Sequence, residues 1–118
     1  MELWHDVDGR PHRLGGPALV LETGGKAWFR NGERHREGGP AIVFADGGEE
    51  WWLDGVRHRD DGPARIFVDG WEEYWLCGKR ISLEEMRDRN LRLERDWRNT
   101  LLERLNEVIL GMPGKVSF

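Results

Sequence analysis

A repeat of 23 residues runs from the N-terminus to about residue 82 and limits the architectures open to this chain. Three series mark the repeat, and each steps by 23 residues without an insertion: glycines at 9, 32, 55 and 78, His-Arg pairs at 12–13, 35–36 and 58–59, and Gly-Pro-Ala triplets at 16–18, 39–41 and 62–64. Units of this length fold by stacking, since one unit buries its apolar side only against its neighbours. The repeat therefore predicts an array in which no single unit folds alone.

Each unit carries the signals of a β-hairpin. The units are numbered here by their marker glycines, Gly9, Gly32, Gly55 and Gly78. In the third unit the β-rich runs 42–44 and 51–53 flank the Asp46-Gly47 turn. A second turn follows at Asp54-Gly55, and Pro63 then favours the entrance of the next strand because proline cannot donate to a ladder. Residues 1–81 are therefore predicted to form a mainly β domain, an antiparallel hairpin meander of about seven strands.

Strand parity predicts two aromatic columns on opposite faces of this sheet. If the Asp-Gly turn closes a two- or four-residue loop, Ile42 lies opposite Trp51 and Phe44 opposite Glu49. Stacking then forms one column from Trp28, Trp51 and Tyr74 and a second from Phe29, Trp52 and Trp75. The C-terminal helix or a partner must cover one column, because large exposed aromatic patches mark binding surfaces. We expect the second column to contact a partner protein.

The remainder of the chain reads as one helix over 82–111 followed by a tail over 112–118. Ser82 and Glu85 form a capping box, and Gly111 and Pro113 are stop signals. Apolar residues fall on one helical face: Leu83, Met86, Leu93, Trp97, Leu101, Leu105, Val108 and Ile109. Charged i,i+4 pairs such as Glu94 and Arg98 occupy the others. This face is expected to cover the sheet, with homodimer formation through the helix as an alternative.

The composition of the chain predicts the kind of domain it forms and the compartment in which it acts. The length of 118 residues, 38% apolar content and seven tryptophans are typical of one soluble domain. The N-terminal residues have neither a basic nor an apolar signal region, and the lone Cys77 fits a reducing compartment. We therefore expect a cytoplasmic protein with no membrane partner, in the host cytoplasm if a phage encodes it.

Repeated polar residues give no catalytic or metal site, and no cofactor is predicted. In a regular stack His12, His35 and His58 lie two strands apart, about 10 Å, too far to share one zinc ion. Hydrogen bonds from these imidazoles to the neighbouring loop are expected instead. The pairs Glu49-Glu50 and Glu72-Glu73 are interpreted as solvated strand positions, because an acid/base pair needs two distinct environments. The chain is predicted not to be an enzyme.

The arginines beside the histidines form a basic ridge when the units stack. Its members chosen as partner-binding candidates are Arg34, Arg36, Arg57 and Arg59. Such a ridge could contact phosphates, which leaves a nucleic-acid-binding adaptor as an alternative function. Local ion pairs and cation–π contacts with tryptophan are the competing explanation, and the net charge of −4 opposes an anionic partner surface.

The unit resembles the MORN repeat (membrane occupation and recognition nexus), whose period is also 23 residues. The similarity lies in Trp28-Phe29-Arg30-Asn31-Gly32-Glu33-Arg34-His35, in Trp51-Trp52-Leu53-Asp54-Gly55-Val56-Arg57-His58, and in the Asp-Gly turns at 46–47 and 69–70. The His-Arg-x-x-Gly-Pro-Ala continuation is similar to variant repeats of bacterial and phage proteins, some grouped as antitoxin components. The resemblance implies a β-hairpin solenoid with an interaction role and no catalytic activity.

These observations predict a small protein-binding module. Its short form, with the resemblance to bacterial and phage variants, implies a modulator that occludes a partner: an antitoxin, an immunity protein or a phage inhibitor of a host defence enzyme. The nucleic-acid adaptor and the helix-mediated homodimer remain the alternatives.

Overall fold

The computed structural model describes the backbone of residues 1–111 and the side chains of residues 1–107. The described chain is mostly antiparallel β-structure with one C-terminal helix. The strands are β1 Glu2–Leu3, β2 Leu19–Val20, β3 Lys26–Ala27, β4 Phe29–Arg30, β5 Glu33–Arg34, β6 Ile42–Val43, β7 Glu49–Glu50, β8 Trp52–Leu53, β9 Val56–Arg57, β10 Arg65–Ile66, β11 Glu72–Leu76 and β12 Lys79–Ile81. They belong to a compact body spanning Met1–Ser82, which holds the repeat units, and a second body begins with α1, Leu83–Gly111.

Eight of these strands form one antiparallel sheet in the order β1-β2-β3-β6-β7-β10-β11-β12. The pairs β4-β5 and β8-β9 form separate two-stranded ribbons. In the fourth unit the second half of the longer strand β11, Tyr74–Leu76, pairs with β12 as the corresponding ribbon. The chain leaves the sheet at Trp28 and Trp51, where the Trp28 N–H donates to Ala41 O in the next unit while Trp28 O accepts from His35 N–H in its own unit. This change of hydrogen-bond partner divides what the sequence predicted as one strand into a sheet strand and a ribbon strand.

The ribbon turns explain the regularly spaced glycines. Asn31, Asp54 and Cys77 have φ values of 52°, 47° and 50°, and the glycine after each also has positive φ. Two consecutive residues with positive φ make a type I′ turn, which matches the twist of a hairpin and favours an Asn-Gly or Asp-Gly sequence.

The hairpin turn in the sheet corrects the predicted register. Phe44 N–H donates to Gly48 O, which closes a three-residue loop with Gly47 at φ 97°. Loops of three residues commonly end on a glycine of this kind, and they shift the pairing by one residue relative to two- or four-residue loops. Ile42 therefore pairs with Glu50 and Val43 with Glu49. The expectation that Ile42 faces the same side as Trp51 was wrong, since Ile42 shares its face with Trp52.

The Gly-Pro-Ala triplets supply the buried centre of the sheet. Ala18, Ala41 and Ala64 have no exposed surface. Each donates its N–H to one neighbouring strand and accepts at its carbonyl from the next, so the backbones approach closely around a side chain of minimal size. One departure from the repeat occurs at the start, where Trp4 takes the place of Trp28 and Trp51 although it lies 24 residues before Trp28. The first hairpin therefore contains one inserted residue.

The helix α1 extends over 29 residues. Its Glu94–Arg98 pair is present, with Arg98 Nη2 at 2.6 Å from Glu94 Oε1. Several apolar side chains of the helix are exposed: Leu91, Leu93, Trp97, Leu101, Leu102 and Leu105. The side chains of Val108 and Ile109, the stop signal at Pro113 and the predicted tail 112–118 lie outside the described residues.

Candidate binding face

One face of the repeat unit carries an alternating stack of arginine and aromatic side chains, here called the Arg–aromatic stack. It consists of Phe29, Arg34, Trp52, Arg57 and Trp75. The register places Phe29 opposite Arg34 and Trp52 opposite Arg57. Arg57 Cζ lies 4.8 Å from the ring centroid of Trp52 and 4.7 Å from that of Trp75, and Arg34 Cζ lies 4.9 Å from that of Trp52. Cations held over indole rings at such distances are attracted to the π electrons.

The buried carboxylate of Glu50 hydrogen-bonds two members of the Arg–aromatic stack. Its side chain accepts from Trp52 Nε1 at 3.0 Å and from Arg57 Nη2 at 2.7 Å. Only 6% of Glu50 is exposed, which corrects the expectation that this carboxylate is solvated. A buried carboxylate requires such partners because an unpaired charge away from water is costly. The fourth unit repeats the arrangement with Glu73, which accepts from Trp75 Nε1 at 3.2 Å.

A cavity of about 510 Å³ opens on the same face in the second unit. Its lining residues are Leu19, Leu21, Thr23, Gly25, Lys26, Ala27, Phe29, Arg34, Ile42, Val43, Phe44, Ala45 and Asp46. Ala27 stands where the next two units have Glu50 and Glu73. The cavity exists at this position because the short alanine side chain leaves the carboxylate site unfilled.

The surroundings of the cavity are apolar and exposed. Phe44 is 44% exposed and Leu21 is 41% exposed. Leu3 lies on the same face, since it pairs with Leu19, and it too is exposed. Exposed apolar residues gathered around a concave site are typical of binding surfaces, whereas single ones are ordinary.

Arg36 and Arg59 lie outside the Arg–aromatic stack. Arg36 Cζ sits 3.9 Å from the ring centroid of Trp28, and Arg36 Nη1 donates to Pro40 O at 3.1 Å. Arg59 makes the same contacts with Trp51 and with Pro63 O. The Gly-Pro step follows from this packing, because a Cβ at residue 39 would lie 2.9 Å from Arg36 Cζ. The local cation–π contacts expected as the alternative to a basic ridge are therefore present at these two arginines.

The repeated histidines link consecutive units, as predicted. His12, His35 and His58 accept at Nδ1 from the backbone N–H of the positive-φ residue in the next ribbon turn, at 2.9, 2.9 and 2.8 Å. Within residues 1–107, no group of three or more His, Cys, Asp or Glu side chains is placed to hold a metal ion.

The structure brings five of the seven predicted partner-binding residues together, and separates Arg36 and Arg59 from them. Whether any of the seven contacts a partner stays a prediction. Sequence reasoning missed Glu50, Leu21, Phe44 and the cavity. A signal for the cavity was present, since aligning the units places Ala27 against two glutamates and Phe29 against two tryptophans.

Comparison with known proteins adds no relative, because no protein-family model, curated protein or solved structure matches this chain. No helix in the described part of the chain combines the length and the apolar character needed to cross a membrane.

Proposed function

We propose that this chain is a non-enzymatic protein-binding module that acts by occluding its partner. The observation that carries the proposal is the concave apolar site of the second unit, with exposed Leu21 and Phe44 at its margin and the Arg–aromatic stack beside it. Aromatic and arginine side chains supply most of the residues that dominate protein–protein affinity. Phe29, Arg34 and the cavity margin are the proposed centre of the interface.

The proposed fold family is a MORN-like hairpin solenoid of the kind found in bacterial and phage variants. The 23-residue period, one hairpin per sheet step and the type I′ ribbon turns support this assignment. By analogy, the proposed role is that of an antitoxin, an immunity protein or a phage inhibitor of a host defence enzyme, acting in the cytoplasm.

Intrachain contacts make a nucleic-acid adaptor the weaker proposal. Arg36, Arg57 and Arg59 each engage a tryptophan ring and a carbonyl or carboxylate of the same chain. A phosphate backbone is bound by free cationic side chains, which displace the counterions condensed on the phosphates. Arg34 is the exception among the four candidate arginines, because its side chain is exposed.

A homodimeric scaffold is a second candidate, favoured by the exposed apolar side chains of α1. Trp97 and Leu101 lie four residues apart and share a helical face, and both are exposed in the single chain. A dimer through this face predicts a mass that depends on concentration and that Leu101→Asp returns to the monomer value without unfolding.

The proposed function is tested by purifying the tagged chain from the cells that encode it, with half of the sample treated with nuclease. A nuclease-resistant protein in near-stoichiometric amount is expected. Phe44→Asp should weaken its binding at least about tenfold, because a charge at the centre of an apolar interface loses both contact and solvation. Val7→Asp is the control for an added charge, since Val7 is a fully exposed apolar residue in the first hairpin turn and does not line the cavity.

Unchanged partner binding by Phe44→Asp would contradict the proposed interface. Recovery of nucleic acid alone would support the adaptor, and recovery of the chain alone would support the scaffold.

A further inference from the structure

The third and fourth units each hold an internal carboxylate at the same place. Glu50 accepts hydrogen bonds from Trp52 and Arg57, and Glu73 accepts from Trp75 and lies 3.7 Å from Arg80 Nη1. In both units the carboxylate sits between an indole N–H and the arginine of the opposite ribbon strand. The unit is thus built around an acid that pairs with this arginine.

The second unit keeps the arginine and lacks the acid. Ala27 occupies the glutamate position, and Phe29 replaces the tryptophan that would donate an N–H. Arg34 lies at the position of Arg57 and lines the cavity. It is exposed, and within the part of the chain that the structure describes no carboxylate lies within salt-bridge distance of its guanidinium. The second unit therefore presents, at the edge of an apolar hollow, a cation that contacts the Trp52 ring and has no carboxylate partner among the described residues.

We propose that this cavity binds a glutamate or aspartate side chain of the partner protein, with Arg34 as its counter-ion and an adjacent apolar side chain of the partner in the hollow. The proposal rests on the proposed protein-binding function and specifies the chemistry of the bound segment. Arg34 would pair with the partner's carboxylate as Arg57 pairs with Glu50. The volume of about 510 Å³ lies within the range of about 300–1,000 Å³ that is typical of ligand sites.

The charges of the lining orient the bound segment. Three charged residues line the cavity: Lys26, Arg34 and Asp46. Lys26 alternates with Ala27 along β3, so its side chain points to the other face of the sheet. Asp46 lies at the Phe44 end, in the same hairpin turn, and its Oδ1 accepts from the Gly48 N–H at 2.8 Å. A second carboxylate at that end would meet like charge. The partner's carboxylate therefore belongs at the Arg34 end, and its apolar side chain belongs against Leu21 and Phe44.

Two short peptides test this chemistry on the full chain. The probes are acetyl-Leu-Ala-Glu-Ala-Phe-amide and the same peptide with Gln in place of Glu, titrated into ¹⁵N-labelled protein and followed by NMR. The Glu peptide should shift the Arg34 Nε–H signal and the amides of residues 19–21 and 42–46. Its Kd should be lower than that of the Gln peptide by about threefold at low salt, since the carboxylate makes a charge-assisted hydrogen bond that the amide lacks, while exposure to solvent limits the gain.

Arg34→Gln should remove the difference between the two peptides and leave the weak apolar contact. Ala27→Glu should place an acid against Arg34 from within the chain and abolish binding of the Glu peptide. Ala27→Gln fills the same volume without charge and should shift the Arg34 Nε–H signal less than Ala27→Glu does. If the Ala27 variants do not fold, Arg34→Gln with the paired peptides decides.

Equal Kd values for the two peptides, or no shifts around the cavity with either, would overturn the proposal. Such a result leaves the protein-binding function standing if Phe44→Asp still releases the captured partner. If Phe44→Asp does not release the captured partner but the Glu peptide still binds more tightly than the Gln peptide, only the proposed interface is overturned.

Discussion

The second and third units have the same backbone pattern and different interiors. Where the third unit has Glu50 and Trp52, the second has Ala27 and Phe29, so one unit is filled by its own carboxylate and the other is open. Each unit donates the same backbone hydrogen bonds to its neighbour, so the scaffold does not depend on this residue. The comparison teaches that changes at two positions of a repeat can turn an internal contact into a surface site.

The largest expected effect follows from opening the filled unit. Glu50→Ala leaves the guanidinium of Arg57, which is largely buried, without its counter-ion and leaves the Trp52 Nε1–H unpaired. Removing one partner of a buried ion pair destabilises strongly, so we expect the free energy of unfolding to fall by about 3 kcal/mol. Urea denaturation with an unchanged m value is the measurement.

Glu73→Ala is the matched control, because Glu73 meets Arg80, whose side chain is half exposed, at the longer distance of 3.7 Å. A loss of about 1 kcal/mol is expected there. If Glu50→Ala and Glu73→Ala lower the free energy of unfolding equally, burial of the ion pair does not determine how much it stabilises the fold.

A second prediction compares the contributions of Arg34 and Arg36, two residues apart in the chain, to the stability of the fold. Arg36→Gln loses the stack on Trp28 and the hydrogen bond to Pro40 O, and should cost about 2 kcal/mol of stability. Arg34→Gln should change stability by about 0.5 kcal/mol, because Arg34 is exposed and lies 4.9 Å from the Trp52 ring, farther than Arg36 lies from Trp28. Thermal unfolding of both variants checks the difference, and a larger loss for Arg34→Gln would contradict the assignment of Arg34 to binding.

A third prediction concerns the links that every unit shares. His35→Ala removes the acceptor for the Asp54 N–H and should cost about 1 kcal/mol. His35→Asn should recover part of this, because its side-chain oxygen can take the place of Nδ1. Hydrogen exchange of the Asp54 amide reports the bond directly. Equal exchange rates in His35→Ala and the parent chain would show that the link between the units does not stabilise the turn.

Much of the fold was predictable because it depends on local signals. The period, the ribbon turns at Asn31 and Asp54, the helix start after Ser82 and the histidine links all follow from spacing and turn chemistry. The register was not predictable in the same way. Loop size at Asp46-Gly47 decides it, and an Asp-Gly pair fits both a two-residue loop and the three-residue loop that forms.

The candidate site was predictable only in part for a related reason. Aromatic residues 23 positions apart necessarily stack, which placed Phe29, Trp52 and Trp75 together. The burial of Glu50 depends on the register, because a shift of one residue moves every side chain to the other face. With the register wrong, Glu50 is assigned to solvent, and the meaning of Ala27 in the same position is lost.

The smallest expected effect comes from an ion pair that joins the second unit to the third alone. Arg30 Nη2 donates to Asp54 Oδ1 at 2.6 Å, whereas the next equivalent positions are Leu53 and Cys77. The hydrogen bond from Arg30 holds the pKa of Asp54 below its ordinary value of 3.8. A carboxyl group with a lowered folded-state pKa stabilises the fold above its ordinary value, and this contribution is lost as the pH falls below 3.8 through the lowered one.

Asp54→Asn should therefore reduce the dependence of stability on pH below about 4 while preserving the turn, because asparagine tolerates the positive φ of residue 54. Unfolding followed at pH 7 and at several values below 4 measures this, with Asp69→Asn as a control carboxylate outside this pair. At pH 7 the loss should be small, since the pair is exposed to solvent and screened by salt. If Asp54→Asn leaves the dependence of stability on pH unchanged, the Arg30–Asp54 pair does not couple the second and third units. The difference between the two units would then rest on the residue at the Ala27 and Glu50 position alone.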